Sequence, residues 1–154
     1  MIKYRSGQTA TLLTDGSVLV AGGQDAGGNS PGATAEIYSP PMLVPAPVLF
    51  TFSGDGQGAI WHSATGQVAS ATNPAVAGEA LSMYTTSLVD GGVIPPQVSI
   101  GGRLAEILYF GASSYPGYNQ VNFLVPGGVP PGSAVPVRLI YIGRSSNAVT
   151  VGVQ

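Results

Sequence analysis

Turn-forming residues interrupt this chain too often for a long helix to form anywhere in it. With 23 glycines and 13 prolines among 154 residues, positions that break regular structure recur every few residues. The longest stretch free of both, Glu79–Asp90, alternates rather than repeating at the helical period. Leu81, Met83 and Thr85 share one side, and Ser82, Tyr84 and Thr86 the other. Its Thr, Tyr and Val content suits a pleated surface. The expectation is an all-β chain.

Short β-rich runs separated by turns bear this out along the whole length. Thr9–Leu13 and Val18–Ala21 flank Asp15-Gly16, a hairpin signal because this pair accepts positive φ. Ala35–Tyr38 closes the first group. A Pro-rich connector follows, and its fixed φ angles make it extended and semi-rigid. The expected division is therefore 1–40, a linker over 41–47, and 48–154. Beyond the linker the runs are Val48–Phe52, Ala59–Ser63, Gln67–Ser70, Glu79–Leu88, Gln97–Ile100, Ala105–Phe110, Asn119–Val125, Val135–Ile142 and Ala148–Val153. Gly101-Gly102 joins the Gln97–Ile100 and Ala105–Phe110 runs. Spacings of roughly 8–12 residues with turns between them predict a sandwich or barrel. Within it, Val121, Phe123 and Val125 should share one core face, and Val137, Leu139 and Tyr141 another.

Composition removes several classes of function. Charged residues make up 8% of the chain, against roughly 25% in ordinary soluble domains. A net charge of −2 with five basic residues leaves no electrostatic footprint for nucleic acid or an anionic membrane. Zero Cys and one His remove disulfides, thiolate sites and any multi-histidine metal centre within the chain. The start, Met1 to Gly7, has no apolar run behind its two basic residues, so a signal peptide is not expected. The apolar tract Met42–Phe50 is broken by Pro45 and Pro47 and falls short of a membrane span.

Candidate reactive groups reduce to structural roles. His62 stands beside Ser63, with Asp55 upstream, but adjacent strand residues point to opposite faces. The expected role of His62 is solvent-facing or hydrogen-bonded and structural. Gly54-Asp55-Gly56-Gln57-Gly58 lacks the Lys-Ser/Thr ending and the following helix of a phosphate loop, so it reads as a turn. Asp25-Ala26-Gly27-Gly28-Asn29, with Asp55 and Asp90 in similar turns, offers too few clustered carboxylates for calcium. No catalytic, cofactor-binding or metal-binding residue is assigned, and no cofactor is expected. Five aromatic residues stand apart: Trp61, Tyr84, Tyr109, Tyr115 and Tyr118. The sequence favours Trp61 and Tyr109 in the core, with loop tyrosines over its end. The other reading makes Trp61, Tyr115 and Tyr118 a ligand-binding surface that stacks on sugar faces.

Two resemblances organise these runs. Gln8-Thr9-Ala10-Thr11-Leu12-Leu13-Thr14-Asp15-Gly16-Ser17-Val18-Leu19-Val20-Ala21-Gly22-Gly23, followed by Ala35-Glu36-Ile37-Tyr38-Ser39-Pro40, resembles one Kelch-type propeller blade. Ser39 stands where that family has Asp. The resemblance implies Leu12, Val18 and Val20 lying between neighbouring sheets. No second copy follows, and a single blade cannot bury both of its faces. The blade is expected to be the end of a truncated propeller rather than a hairpin co-opted by the second domain.

Residues 46–154 resemble the Solibacter-type C-terminal module, an Ig-like domain at the ends of large acidobacterial proteins. Three tracts carry the likeness: Asn73–Glu79 into Met83–Leu88, Val98–Gly102 into Ala105–Ala112, and Tyr118–Pro126. Pro130-Pro131-Gly132 and Val135-Pro136-Val137 add to it. The implied fold is an Ig-like Greek-key β-sandwich preceded by a Kelch-like hairpin or blade remnant. The implied setting is a secreted protein, extracellular or at the cell surface. A propeller followed by an Ig-like domain also resembles the tail of galactose-oxidase-type copper enzymes, where His62 would be the candidate copper ligand.

The expected function is a non-catalytic structural or interaction module of a larger secreted Kelch-repeat protein. The alternatives are a carbohydrate-binding module and the accessory domain of a copper radical oxidase. Strands so poor in Lys and Glu leave sheet edges unguarded. Protein partners or self-association through those edges are expected, with carbohydrate as a further partner and neither nucleic acid nor membrane.

Overall fold

A computed structural model describes residues 4–25, 27–29, 34–39, 44–52, 54–88 and 93–154. The chain is all-β and divides into two compact units, Met1–Leu43 and Val44–Gln154. The linker expected over 41–47 lies partly outside the described residues.

The first unit is a three-stranded antiparallel sheet of β1 (Thr9–Leu12), β2 (Val18–Ala21) and β3 (Ala35–Tyr38), in that order. Asp15 builds the turn between β1 and β2. Its Oδ1 accepts from the Ser17 amide at 2.9 Å and the Ser17 hydroxyl at 2.6 Å, and Gly16 takes φ +83°. These bonds, the hydroxyl first and the amide second, hold the Asp15 carboxyl below its ordinary 3.8. Gly23 is needed for a different reason. It takes φ +91°, and a Cβ there would stand 2.8 Å from the Ser6 carbonyl oxygen. Every strand residue of this unit is exposed or half-buried, including Leu12, Val18 and Val20. Among the described residues, those buried here are Gly16 and two polar residues, Arg5 and Ser17. Arg5 donates to the Gly22 and Thr34 carbonyls and, at 2.7 Å, to Glu36.

The second unit holds two antiparallel sheets, an arrangement consistent with a β-sandwich. One sheet runs β4 (Ile60–His62), β5 (Ala80–Thr85), β9 (Asn119–Leu124), β8 (Ile107–Ala112). The other centres on β10 (Gly132–Tyr141), flanked on one side by β6 (Gln97–Ile100) and then β7 (Arg103–Ala105). On its other side β10 pairs with β11 (Arg144–Ser145) and β12 (Val149–Val153). Alternation fills the space between the sheets. Leu81, Met83, Val121 and Phe123 from one meet Val98, Ile100, Val137, Leu139 and Val151 from the other in a single apolar cluster. The two predicted core faces, Val121–Phe123–Val125 and Val137–Leu139–Tyr141, are both buried.

Three expected strands differ. Val48–Phe52 makes only isolated bridges, Leu49 to Thr85 and Thr51 to Gly58. The Asn147 side chain takes the place of a strand partner, receiving the Leu49 amide at 2.8 Å and donating to its carbonyl at 2.9 Å. Gln67–Ser70 likewise pairs only through single bridges, Trp61 to Val68 and Ser70 to Asn73, because the chain folds back on itself at residues 71–73. The single strand expected over Ala105–Phe110 is split at Glu106. β7 pairs with β6, whereas β8 pairs with β9 in the opposite sheet, so the chain changes sheets there.

Candidate aromatic binding site

Strand alternation also decides what faces outward. Because Ile60 and His62 are buried, Trp61 between them is turned to the outer side of its sheet. The buried Leu81, Met83 and Thr85 turn Tyr84 to that same side. Ile60 pairs with Met83 and Trp61 with Ser82, so Trp61 and Tyr84 are diagonal neighbours, within reach for large rings. Their centroids lie 5.4 Å apart at 64°.

Two further segments complete the cluster. Phe50 enters from the bridge-bound segment that Asn147 holds. The loop after β8 supplies Tyr115 and Tyr118, and local bonds shape it. Ser113 Oγ accepts the Tyr115 amide at 3.0 Å, and the Tyr115 carbonyl accepts the Tyr118 amide at 3.2 Å. Gly117 takes φ +84°, which lets this turn close. Tyr115 meets Tyr84 at 5.4 Å and 85°, and Tyr118 meets Phe50 at 5.4 Å and 64°. Phe52 extends the cluster by packing on Trp61 at 5.5 Å and 76°. Phe50, Ala59, Trp61, Tyr84, Tyr115 and Tyr118 together line an open cavity of about 380 Å³.

The three residues singled out as a ligand surface, Trp61, Tyr115 and Tyr118, therefore converge on one cavity. Tyr84 joins them. The preference for Trp61 and Tyr109 in the core does not hold. Trp61 is half-buried on the outer face, and Tyr109 is exposed, its hydroxyl donating to the Ala112 carbonyl at 2.7 Å. The β8 register shift between Ile107 and Tyr109 accompanies that outward position. Sequence reasoning missed Phe50 and Phe52; in this run only Leu49 is buried and Thr51 is exposed, so no alternation marked the two rings.

The remaining candidates are engaged in structure. His62 is 5% exposed and turned inward, away from the exposed Ser63. Its carboxylate partner is Glu79 at 2.5 Å on Nδ1, not Asp55, and its Nε2 lies 3.1 Å from the Asn73 carbonyl. Glu79 also accepts the Val76 amide at 3.1 Å, which fixes the loop that leads into β5. Both ring nitrogens of the one histidine are thus occupied by protein acceptors.

Gly54–Gly58 is a turn in which Asp55 accepts the Gln57 amide at 2.9 Å. Asp25 spends its Oδ1 on the Gly27 and Asn29 amides, each at 2.9 Å. Asp90 lies outside the described residues. Among those described, no group of three or more His, Cys, Asp or Glu side chains is placed to hold a metal ion. Compared with protein-family models, curated proteins and solved structures, the chain matches none.

Proposed function

We propose that this chain is a non-catalytic recognition module of a larger secreted protein, with the aromatic cavity of its second unit as the ligand site. The observation that carries the reading is the convergence of five aromatic rings from four separate chain segments on one open cavity. A protein that needed these rings only for stability would gain more by burying them. The reading includes an Ig-like, Solibacter-type identity for the second unit and a last-blade, Kelch-type identity for the first. Supporting the latter, the three-stranded sheet leaves apolar Leu12, Ile37 and Tyr38 exposed and has no apolar core among its described residues. The test is a binding screen read by Trp61, the chain's one tryptophan. Saturable emission changes that vanish in Tyr115→Ala support the reading. A panel of oligosaccharides and small cations that leaves Trp61 unmoved overturns it.

A second reading, association through sheet edges, has its own observation. β7 and β8 follow one another along the chain, and both are edge strands of their sheets. Leu104, Leu108 and Tyr109 on them are exposed at 66%, 50% and 43%. Pairing of a second chain on such an edge would cover these residues. Sedimentation velocity should show a concentration-dependent dimer that Leu108→Lys abolishes. A monomer at all concentrations refutes it.

A further inference from the structure

We propose that the aromatic cavity is a cage for the quaternary ammonium group of a soluble small molecule, an inference that rests on reading that cavity as the ligand site. Its walls are the first reason. Phe50, Trp61, Tyr84, Tyr115 and Tyr118 line it, and the face of an aromatic ring attracts a cation through its quadrupole. Their mutual orientation is the second. The lining rings in contact cross at 64°, 64° and 85°, as adjoining walls of a box do. A flat pyranose face is best met by coplanar rings. A nearly spherical trimethylammonium group is best met from several sides at once.

Polarity is the third reason, and it separates the two ligand classes most sharply. Among the described residues, no carboxylate, amide or cationic side chain lines the cavity. The side-chain polar atoms on offer are the Trp61 indole N–H and three tyrosine hydroxyls. Sugar hydroxyls entering such a site exchange water for too few partners, and an unpartnered polar group is costly to bury. A quaternary ammonium carries no hydrogen-bond donor or acceptor, so its entry breaks none. Its diffuse charge is weakly held by water and is repaid by the ring faces. The chain's net charge of −2 does not oppose a cation. The volume of about 380 Å³ also exceeds what one methylated ammonium head requires, leaving room for the short chain attached to it.

The experiment titrates choline chloride and its neutral isostere 3,3-dimethyl-1-butanol into the intact chain, following Trp61 emission. Choline should saturate the signal, with the isostere binding at least about tenfold more weakly, since the two share shape and differ in charge. Tyr115→Phe should retain choline, because the ring rather than the hydroxyl does the binding. Tyr115→Ala, in an exposed loop, should weaken it about tenfold. Sedimentation with phosphatidylcholine but not phosphatidylglycerol vesicles would place the same ammonium group on a lipid headgroup and overturn the soluble source. Equal affinity for the isostere overturns the cation assignment. So does saturation by cellohexaose without a response to choline, and either result leaves the cavity standing as a site. Silence toward every probe, or binding indifferent to Tyr115→Ala, overturns the site itself.

Discussion

Replacing Gly152 with alanine should be among the most damaging single-methyl changes available to this protein. A Cβ at that position would lie 2.1 Å from the Ser70 carbonyl oxygen, 2.5 Å from its carbon and 2.9 Å from the Ala71 nitrogen. All three are backbone atoms, so no side chain can swing away. Ordinary C···O contacts begin at about 3.3 Å, so the two segments must part by more than 1 Å, roughly. Overpacking of this kind costs about 1–3 kcal/mol, occasionally more. Parting the segments also strains two bonds that tie residue 75 to residues 152 and 154. These are the Ala75 amide to the Gly152 carbonyl and the Gln154 amide to the Ala75 carbonyl, both 2.9 Å. Each contributes about 1 kcal/mol, so the expected loss is roughly 3–5 kcal/mol. Urea unfolding followed through Trp61 would measure it, with an unchanged m-value showing that the same surface unfolds. Gly66→Ala is the matched control. It has φ +69° and open space where its Cβ would sit, so it should lose only the left-handed penalty of about 1–2 kcal/mol. A Gly152→Ala loss no larger than that of Gly66→Ala would refute the steric argument.

Three further outcomes follow from the same geometry. Phe123→Ala removes a fully buried ring between the sheets and should cost about 3–5 kcal/mol in urea; a loss under about 1 kcal/mol would contradict its core placement. Asn147→Ala deprives the Leu49 amide and carbonyl of their shared partner and should cost about 2–4 kcal/mol. Asn147→Asp should recover little, because a carboxylate cannot donate to that carbonyl, and full recovery would show that the bond to the Leu49 carbonyl does not matter. An NMR titration should place the Asp15 carboxyl below 3.8, with Ser17→Ala moving it upward. Because the folded value is the lower one, the turn's stabilisation is complete above the unfolded value and is lost as pH falls through the folded one. A midpoint at or above 3.8 would remove Asp15 from that role.

Much of this fold was legible because turn residues bound its strands and the central strands of the second unit alternate in burial. Val18–Ala21, Ala35–Tyr38 and Gln97–Ile100 have the same bounds in the structure as in the sequence reading. The core faces of β9 and β10 followed from a period of two alone. The misses share a cause. Val48–Phe52 has the residues of a strand, but its partner is the side chain of Asn147, 98 positions from Leu49. Ala105–Phe110 reads as one apolar run, yet its two parts pair with strands in different sheets. Local composition carries no information about which edge is open to receive a segment. The histidine shows the same limit. Its structural role could be inferred, but its partner Glu79 could not.

By itself, the sequence determined that this chain is all-β, where most turns fall and which strand faces are buried. Glycine and proline restrict φ locally, and alternation acts between neighbours, so both can be read from a few residues at a time. That Phe50, Trp61, Tyr84, Tyr115 and Tyr118 share a cavity came from long-range packing. Whether an aromatic ring is core or cleft depends on what packs against its face, and those neighbours come from distant parts of the chain. Trp61 was expected in the core on its chemistry alone. Its register against Ser82, with buried neighbours on either side, turned it outward instead.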